Sequence, residues 1–356
     1  MESIARLMAE LPEDYEDDCF KLGVIKRKRG VSNPADLMML AMFHLHHGCS
    51  LMEISEVARM TKLGKMSDVA FMKRFEKCGE WFKRINEKIV ATDMTDYKKP
   101  EWMKDREVVA VDASDISEKG RSGRVYRLHY ALDIFKMKSA AHKITTTKVG
   151  ESIKNLDLNP GCLVIADRAY STISGIEYCN ENGADYIFRL RKNSFTPRGE
   201  DGKKLDLPML LTNLGENECF DLFANATNLA GDTVPMRICA IRKTPEAIET
   251  TQKKLRRKES KRQFKITDDT KIFNEYIVVV TSIGADVTAR QILEAYRLRW
   301  QVEIYFKRLK SILDFGELPK RSQDSSMSWL NGKLMIALLI ESVVAKVSFS
   351  PTRYDE

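Results

Sequence analysis

The spacing of apolar residues changes character several times along the chain. Over 34–95 it has the three-to-four-residue rhythm of helices. "ADLMMLAMFHLHHG" closes at Gly48, and "SLMEISEVARM" opens at Ser50. After the turn "TKLGKM", one longer helix, "SDVAFMKRFEKCGEWFKRINEKI", opens at Ser67. A serine at such a position accepts from the otherwise unbonded N–H groups of a first turn. From 107 the rhythm is that of strands. "EVVAVDAS" is a short buried run ending in an acid, "RVYRLHYALDIF" alternates, and "KSAAHKITTTK" follows closely enough to predict an antiparallel meander. "GCLVIADRAY" is a second buried strand ending in an acid, and the helix "STISGIEYCNENG" leads to a fifth strand, "DYIFRLR". The fold class predicted is α/β, with a mixed five-stranded sheet.

Residues 196–273 interrupt this order with polar, turn-rich sequence and the short strands "ECFDLFA" and "VPMRICAIR". "NEYIVVVTSI" then returns as a strand, and one long helix is predicted over 288–313. The apolar stretch around 329–347 is interrupted by Glu341 and Lys346, so it reads as a buried helix and not a membrane span. The organisation expected is a helical N-terminal domain (1–95), an α/β domain (105–195 with 274–315), a β-rich insertion (196–273) and a short C-terminal helical segment (316–356).

Charge changes the picture modestly. Fifty-eight Lys and Arg against 51 Asp and Glu give +7, which permits a nucleic-acid partner without requiring one. Two basic features stand out. The helix–turn–helix stretch carries Lys73, Arg74, Lys77, Lys83 and Arg84 and resembles a DNA reader, with a purely packing hairpin as the alternative. "KKLRRKESKR" at 253–262 holds seven basic residues and one acid; it reads as a solvated face or mobile loop that could grip phosphates beside a DNA site. The first eighteen residues, with seven acids and one Arg, read as a solvated leader. Seven scattered cysteines without a C-x-x-C pair point away from disulfides or zinc and fit a reducing cytoplasm. The start lacks the basic and apolar regions of a secretory signal. His44, His46 and His47 read as packing or exposed residues in preference to a metal cluster.

The candidate chemistry begins in "YRLRWQVEIYFKRLK", 296–310. At about 100° per residue, Tyr296, Arg299, Glu303 and Lys310 share a stripe roughly 60° wide and about 20 Å long. Glu294 falls on the opposite side, and Leu298, Val302, Tyr305 and Leu309 form the neighbouring apolar face. Asp112 and Asp167 end two buried strands, where α/β folds place sites. Three carboxylates meeting there would repel one another unless hard divalent cations joined them. Asp115 and Asp133 are weaker candidates for the same role, because neither follows a buried run as cleanly.

The spacing Y-x2-R-x3-E-x6-K, matched by Tyr296, Arg299, Glu303 and Lys310, together with "VDAS" and "DRAY", resembles the DDE transposases of the insertion sequence 4 family. The resemblance runs over about 40–345. It implies an RNase H-like catalytic fold in which Asp112, Asp167 and Glu303 bind two Mg²⁺, with Mn²⁺ able to substitute. It implies cleavage of double-stranded DNA at terminal inverted repeats and transfer of the freed 3′-OH into target DNA, in some members through a hairpin. A homodimer in the DNA complex and a prokaryotic cytoplasmic, nucleoid-associated location go with it, with no membrane partner. Tyr296, Arg299 and Lys310 are then expected at DNA phosphates. Trp300 lies beside the stripe and reads first as packing, second as a base stacker. Tyr276, opening the strand before the helix, is the aromatic assigned to an unstacked base. Arg168 and Arg191 either meet DNA or balance charge. Two departures from the family stand out: only 46 residues follow Lys310, and Ala113 stands where a glycine often follows the first aspartate. The competing functions are a DNA-binding remnant or regulator without catalysis, and a stand-alone metal-dependent nuclease.

Overall fold

The computed structural model describes residues 2–26, 29–31, 33–91, 99–120, 122–215, 217–319 and 322–346. Residues 92–95 of the expected helical stretch, and 347–356 of the C-terminal segment, lie outside them. The chain opens with α1 (Glu2–Met8) and α2 (Tyr15–Lys21). These correct the expectation of a solvated leader. Ile4, Leu7 and Leu11 are buried, and buried Asp18 is paired with Arg84 and Lys88 of a later helix. The acids are there partly to meet basic residues across the helical layer.

Helices α3 (Pro34–His46), α4 (Leu51–Met60), α5 (Asp68–Phe75) and α6 (Gly79–Ala91) follow. Both predicted caps are present. Ser50 and Glu53 form a reciprocal capping box, and the Ser67 hydroxyl accepts from the Ala70 N–H at 3.2 Å. The single helix predicted after Ser67 is broken by a 3₁₀ turn over Glu76–Cys78. The cause is tertiary: a later helix crosses at this point, and the Ser328 hydroxyl donates to the Glu76 carbonyl at 3.1 Å. His44 packs edge-on against Phe71 and Phe75 and bonds the Cys49 carbonyl at 2.6 Å, in line with a packing role.

The α/β part begins with β1 (Val108–Glu118), β2 (Arg124–Asp133) and β3 (Lys138–Thr146), which form the predicted antiparallel meander. Then come β4 (Leu163–Ala166), α7 (Ile173–Glu181) and β5 (Asp185–Arg189), with β4 parallel to β1 and β5 parallel to β4. The order β3-β2-β1-β4-β5 is the mixed five-stranded arrangement expected.

The insertion holds α8 (Leu207–Thr212), β6 (Cys219–Thr227), β7 (Thr233–Arg242), α9 (Pro245–Arg262) and α10 (Asp268–Asn274) before β8 (Tyr276–Thr281). Its strands do not form a separate sheet. β8 pairs antiparallel with β5, β7 with β8 and β6 with β7, so the sheet continues to eight strands in a row. The run 253–262 lies in α9, an ordered helix in place of a loop.

Helices α11 (Ala289–Arg297) and α12 (Trp300–Leu313) replace the one long helix predicted over 288–313. After them, β9 (Glu317–Leu318) pairs parallel with the end of β1, and α13 (Gln323–Lys346) is the last described element. α13 packs into the N-terminal helical layer. The Asn86 amide donates to the Asn331 carbonyl at 3.0 Å, and Gly332 sits so close to α3 and α6 that a Cβ there would lie 2.4 Å from Leu45 and 3.1 Å from Phe82. The period-two alternation of β1 and β4 serves two cores. Val108, Ala110, Leu163 and Ile165 face the side packed by α11, α12 and α13, while Val109, Val111, Val164 and Ala166 face α7.

Candidate active site

Two adjacent parallel strands set the site. Val111 of β1 pairs with Ala166, the last residue of β4. The next residues are Asp112 and Asp167, so the two aspartates leave that pair side by side. Asp112 does not end its strand, as the sequence suggested; β1 runs on to Glu118. The extra length has a structural use. It accepts β9, with the Ser117 N–H bonded to the Gly316 carbonyl at 3.1 Å, and so ties the far end of α12 to the strand carrying Asp112.

Glu303 reaches the same place from α12. Val302, Tyr305, Phe306 and Leu309 are buried against the sheet, and the helix edge beside them faces a recess of about 530 Å³. Asp112, Ser114, Glu303, Lys307, Lys310 and Ser311 line that recess. Ser114, Lys307 and Ser311 were not singled out from sequence. Ser114 was reachable, because it lies two residues beyond Asp112 on the same strand face. Its hydroxyl oxygen is buried with no bonding partner.

The break between α11 and α12 changes the expected stripe. Leu298 and Arg299 keep helical dihedrals but bond i→i−3 to Ala295 and Tyr296, which tightens the turn and shifts the phase. Tyr296 is consequently buried, 5% exposed, and its hydroxyl donates to Asp167 Oδ1 at 3.3 Å. Arg299 lies over the Tyr296 ring and donates through Nη2 to Glu303 Oε1 at 2.7 Å. Lys310 alone of the signature cations stays exposed.

Electrostatics centre on Arg299. Burial opposes its charge, but Tyr296, Glu303 and Asp167 hold the guanidinium well above its ordinary value. Asp112 is pushed up to about 6, first by burial and then by Glu151 and Glu303, against the Ala113 N–H and Arg299, which favour its charge. Among the described residues, the Asp112 carboxylate accepts the N–H of its neighbour Ala113, at 2.8 Å. The donor set is all oxygen and suits a hard divalent cation. Asp112 and Glu303 open onto one recess, whereas Asp167 is reached through Tyr296 and Arg299. Among the described residues no three His, Cys, Asp or Glu side chains converge closely enough to hold a metal ion. The arrangement therefore fits such an ion in its chemistry and in one carboxylate pair, with Arg299 standing among the three acids.

The remaining candidates fall as follows. Asp115 is taken by Arg124 at 2.5 Å and Arg127 at 2.7 Å, and Asp133 caps its own turn through the N–H groups of Phe135 and Lys136. Trp300 is 58% exposed, which corrects its reading as a packing residue. Tyr276 is 3% exposed and presents no open ring face to a base. Arg168 donates to Asn274 at 3.3 Å while its Nε is buried without a partner. In the helical layer, Arg74 donates to the Val31 and Arg29 carbonyls and Arg84 pairs with Asp18. Lys83 pairs with Glu80 at 3.5 Å and Glu87 at 3.8 Å, so three of the five basic residues of the supposed DNA reader have partners within the chain.

The chain thus joins an N-terminal helical layer to an RNase H-like mixed sheet, with aspartates at two neighbouring strands and a glutamate on α12. The transposase DDE domain family matches residues 103–339, and the chain belongs to that family. It is 26% identical to the transposase for insertion sequence element IS421 of Escherichia coli over 345 residues, covering 94% of this chain and 91% of that protein. The InsL protein of insertion sequence element IS186A of Escherichia coli K12 is as similar, 26% over 344 residues with the same coverage. The transposase for insertion sequence element IS231F of Bacillus thuringiensis subsp. israelensis is 26% identical over 208 residues, 53% of this chain and 43% of that one. Among solved structures, a piggyBac transposase synaptic complex with hairpin DNA aligns at TM-score 0.47 and 10% identity, covering 96% of this chain and 72% of that one. No helix among the described residues is long and apolar enough to cross a membrane.

Proposed function

We propose that this chain cleaves DNA phosphodiesters at the ends of a mobile element and transfers the freed 3′-OH into target DNA. Asp112, Asp167 and Glu303 are its catalytic carboxylates. The observation that carries the reading is the register Val111↔Ala166, after which both strands continue into an aspartate, with Glu303 sharing the recess of Asp112 and bonded to Arg299. Asp112, Asp167 and Glu303 would hold two Mg²⁺, or Mn²⁺, which supply charge neutralisation at the phosphate and activation of the attacking oxygen. The chain's own residues do the rest. The buried apolar face of α12 fixes Glu303 opposite Asp112, and Tyr296 orients Asp167 through its hydroxyl. Lys310 and Lys307, exposed at the mouth of the recess, hold the phosphates flanking the reacting one. Arg299 neutralises the acids until DNA and cations take its place and is then free to bind phosphate. The partners are terminal repeats, target DNA and a second copy of this chain.

A second reading, DNA binding without catalysis, draws on one observation: Arg299 already satisfies Glu303, and Asp167 is not gathered with the other acids. One experiment separates the two. Asp112→Asn, Asp167→Asn and Glu303→Gln should each abolish Mg²⁺-dependent cleavage of a duplex containing the element's end while leaving its binding within about twofold. A wild-type chain that binds this duplex and never cuts it supports the second reading.

A further inference from the structure

Helix α9 has eighteen residues and none of them is buried. A helix normally persists in a protein by packing an apolar face. This one offers only half-buried Ile248 and Leu255 to its neighbours. Its outer face carries Lys253, Arg257 and Lys261 at i, i+4 and i+8, a like-charge spacing that destabilises an isolated helix. What holds it is polar: Thr244 caps it, Glu249 pairs with Lys253 at 2.7 Å, Glu259 accepts the Ile266 N–H at 2.8 Å, and Gln252 donates to Glu275 at 3.2 Å. The basic residues from 253 to 262 extend over about 14 Å, a length that faces several phosphates of a duplex.

The first turns of α9 form one wall of a cleft of about 850 Å³. Its other walls carry Arg189 of β5, Arg242 and Lys243 at the end of β7, and Arg290 and Arg297 of α11, against two acids, Glu246 and Glu294. Arg189 links this cleft to the carboxylate site. Its Nε is buried without a partner, as is that of Arg168 beside Asp167. Burial and the neighbouring Arg189, Arg168 and Lys254 push the Lys243 ammonium down to about 8, although Glu275 supports its charge. Cations thus run from Asp167 through Arg168, Arg189 and Lys243 to Lys254 on α9. Their mutual repulsion is relieved by a polyanion lying along them.

We propose that this cleft and the outer face of α9 form a second DNA-contact surface, which grips the phosphate backbone of duplex DNA away from the reacting phosphodiester. The proposal rests on the reading of the chain as a DNA-cleaving protein, and the test keeps the two apart. Full-length protein is titrated with a mixed-sequence DNA duplex of about 40 base pairs at salt between about 50 and 200 mM. The variant Lys253→Ala, Arg257→Ala, Lys261→Ala should keep the wild-type circular dichroism spectrum, since all three side chains are exposed. Its affinity should fall about tenfold or more, and its salt slope by about 0.9 for each lost contact. The charge-preserving Lys253→Arg, Lys261→Arg variant should keep the wild-type slope. A folded triple-alanine variant with the wild-type slope and affinity overturns the proposal while leaving the catalytic reading standing. A wild-type chain with no affinity for this duplex overturns both.

Discussion

At the residue scale, the site holds an acid in an environment that disfavours its charge. Asp112 is raised above the ordinary carboxylate range by burial, so the folded chain retains its proton more strongly than the unfolded chain. Stability attributable to Asp112 is full below about pH 4 and falls as pH rises toward about 6. Asp112→Asn should accordingly lose cleavage yet melt higher than wild type at neutral pH, with a gain in stability of at most about 3 kcal/mol. A variant that loses both activity and stability would point to a packing role. Lys310 is exposed and opens onto the recess, so Lys310→Ala should weaken DNA binding and lower the salt slope by about 0.9 without changing the melting temperature. The buried strand runs that lead into Asp112 and Asp167, and the exposed helix edge that carries Lys310, were legible in the sequence because the flanking apolar spacing carries the pattern. The aromatic assignments were not, because a single tyrosine or tryptophan does not state its own burial. Tyr276 is inside, Trp300 is outside, and tertiary packing alone decides that.

At the element scale, the predicted strands and caps correspond closely to those found, and the differences arise at contacts between elements. The helix over 288–313 breaks at Leu298 and Arg299 because Tyr296 turns inward to Asp167 while α12 packs its own face on β1 and β2. The 3₁₀ turn before α6 arises where α13 crosses. Neither crossing partner is adjacent in sequence, so local periodicity could not reveal the breaks. The α12–β2 contact also holds a buried acid. Glu341 of α13, whose carboxylate oxygens are buried, faces Tyr130 of β2 and Tyr305 of α12, two rings stacked at 4.5 Å. Burial pushes Glu341 up to about 8, although Tyr305, the Ser139 backbone and Tyr130 favour its charge. Being raised, it weakens the fold progressively as pH climbs from its ordinary 4.5 to about 8. Glu341→Gln should therefore melt higher than wild type at about pH 9, with the difference vanishing near about pH 4. A constant difference across that range would place the effect in packing and not in the proton.

At the scale of the whole molecule, helix α12 is held between two bodies of structure. The sheet grips α12 through β1 and β9, and α13 ties the sheet to the N-terminal helices. That docking depends on a close approach at Gly332. Gly332→Val should cost about 1–3 kcal/mol and lower the melting temperature, since Leu45 and Phe82 leave no room for a branched side chain. An unchanged melting temperature would mean that α13 is not stably seated there. The continuation of the sheet through β8, β7 and β6 was legible only as separate short strands, because pairing between distant segments leaves no local signature. The same holds for the placement of Asp112 and Glu303 on one recess, with Asp167 bonded to Tyr296 nearby, since the three acids come from two strands and a helix spread over 192 positions of sequence. Their joint action on divalent cations is the central claim. It is tested most directly by Mn²⁺ titration of the protein–DNA complex, followed by the electron paramagnetic resonance signal of the free ion. Wild type should take up about two ions per site, and Asp112→Asn, Asp167→Asn and Glu303→Gln should each lose uptake. Equal uptake by wild type and all three variants would contradict it.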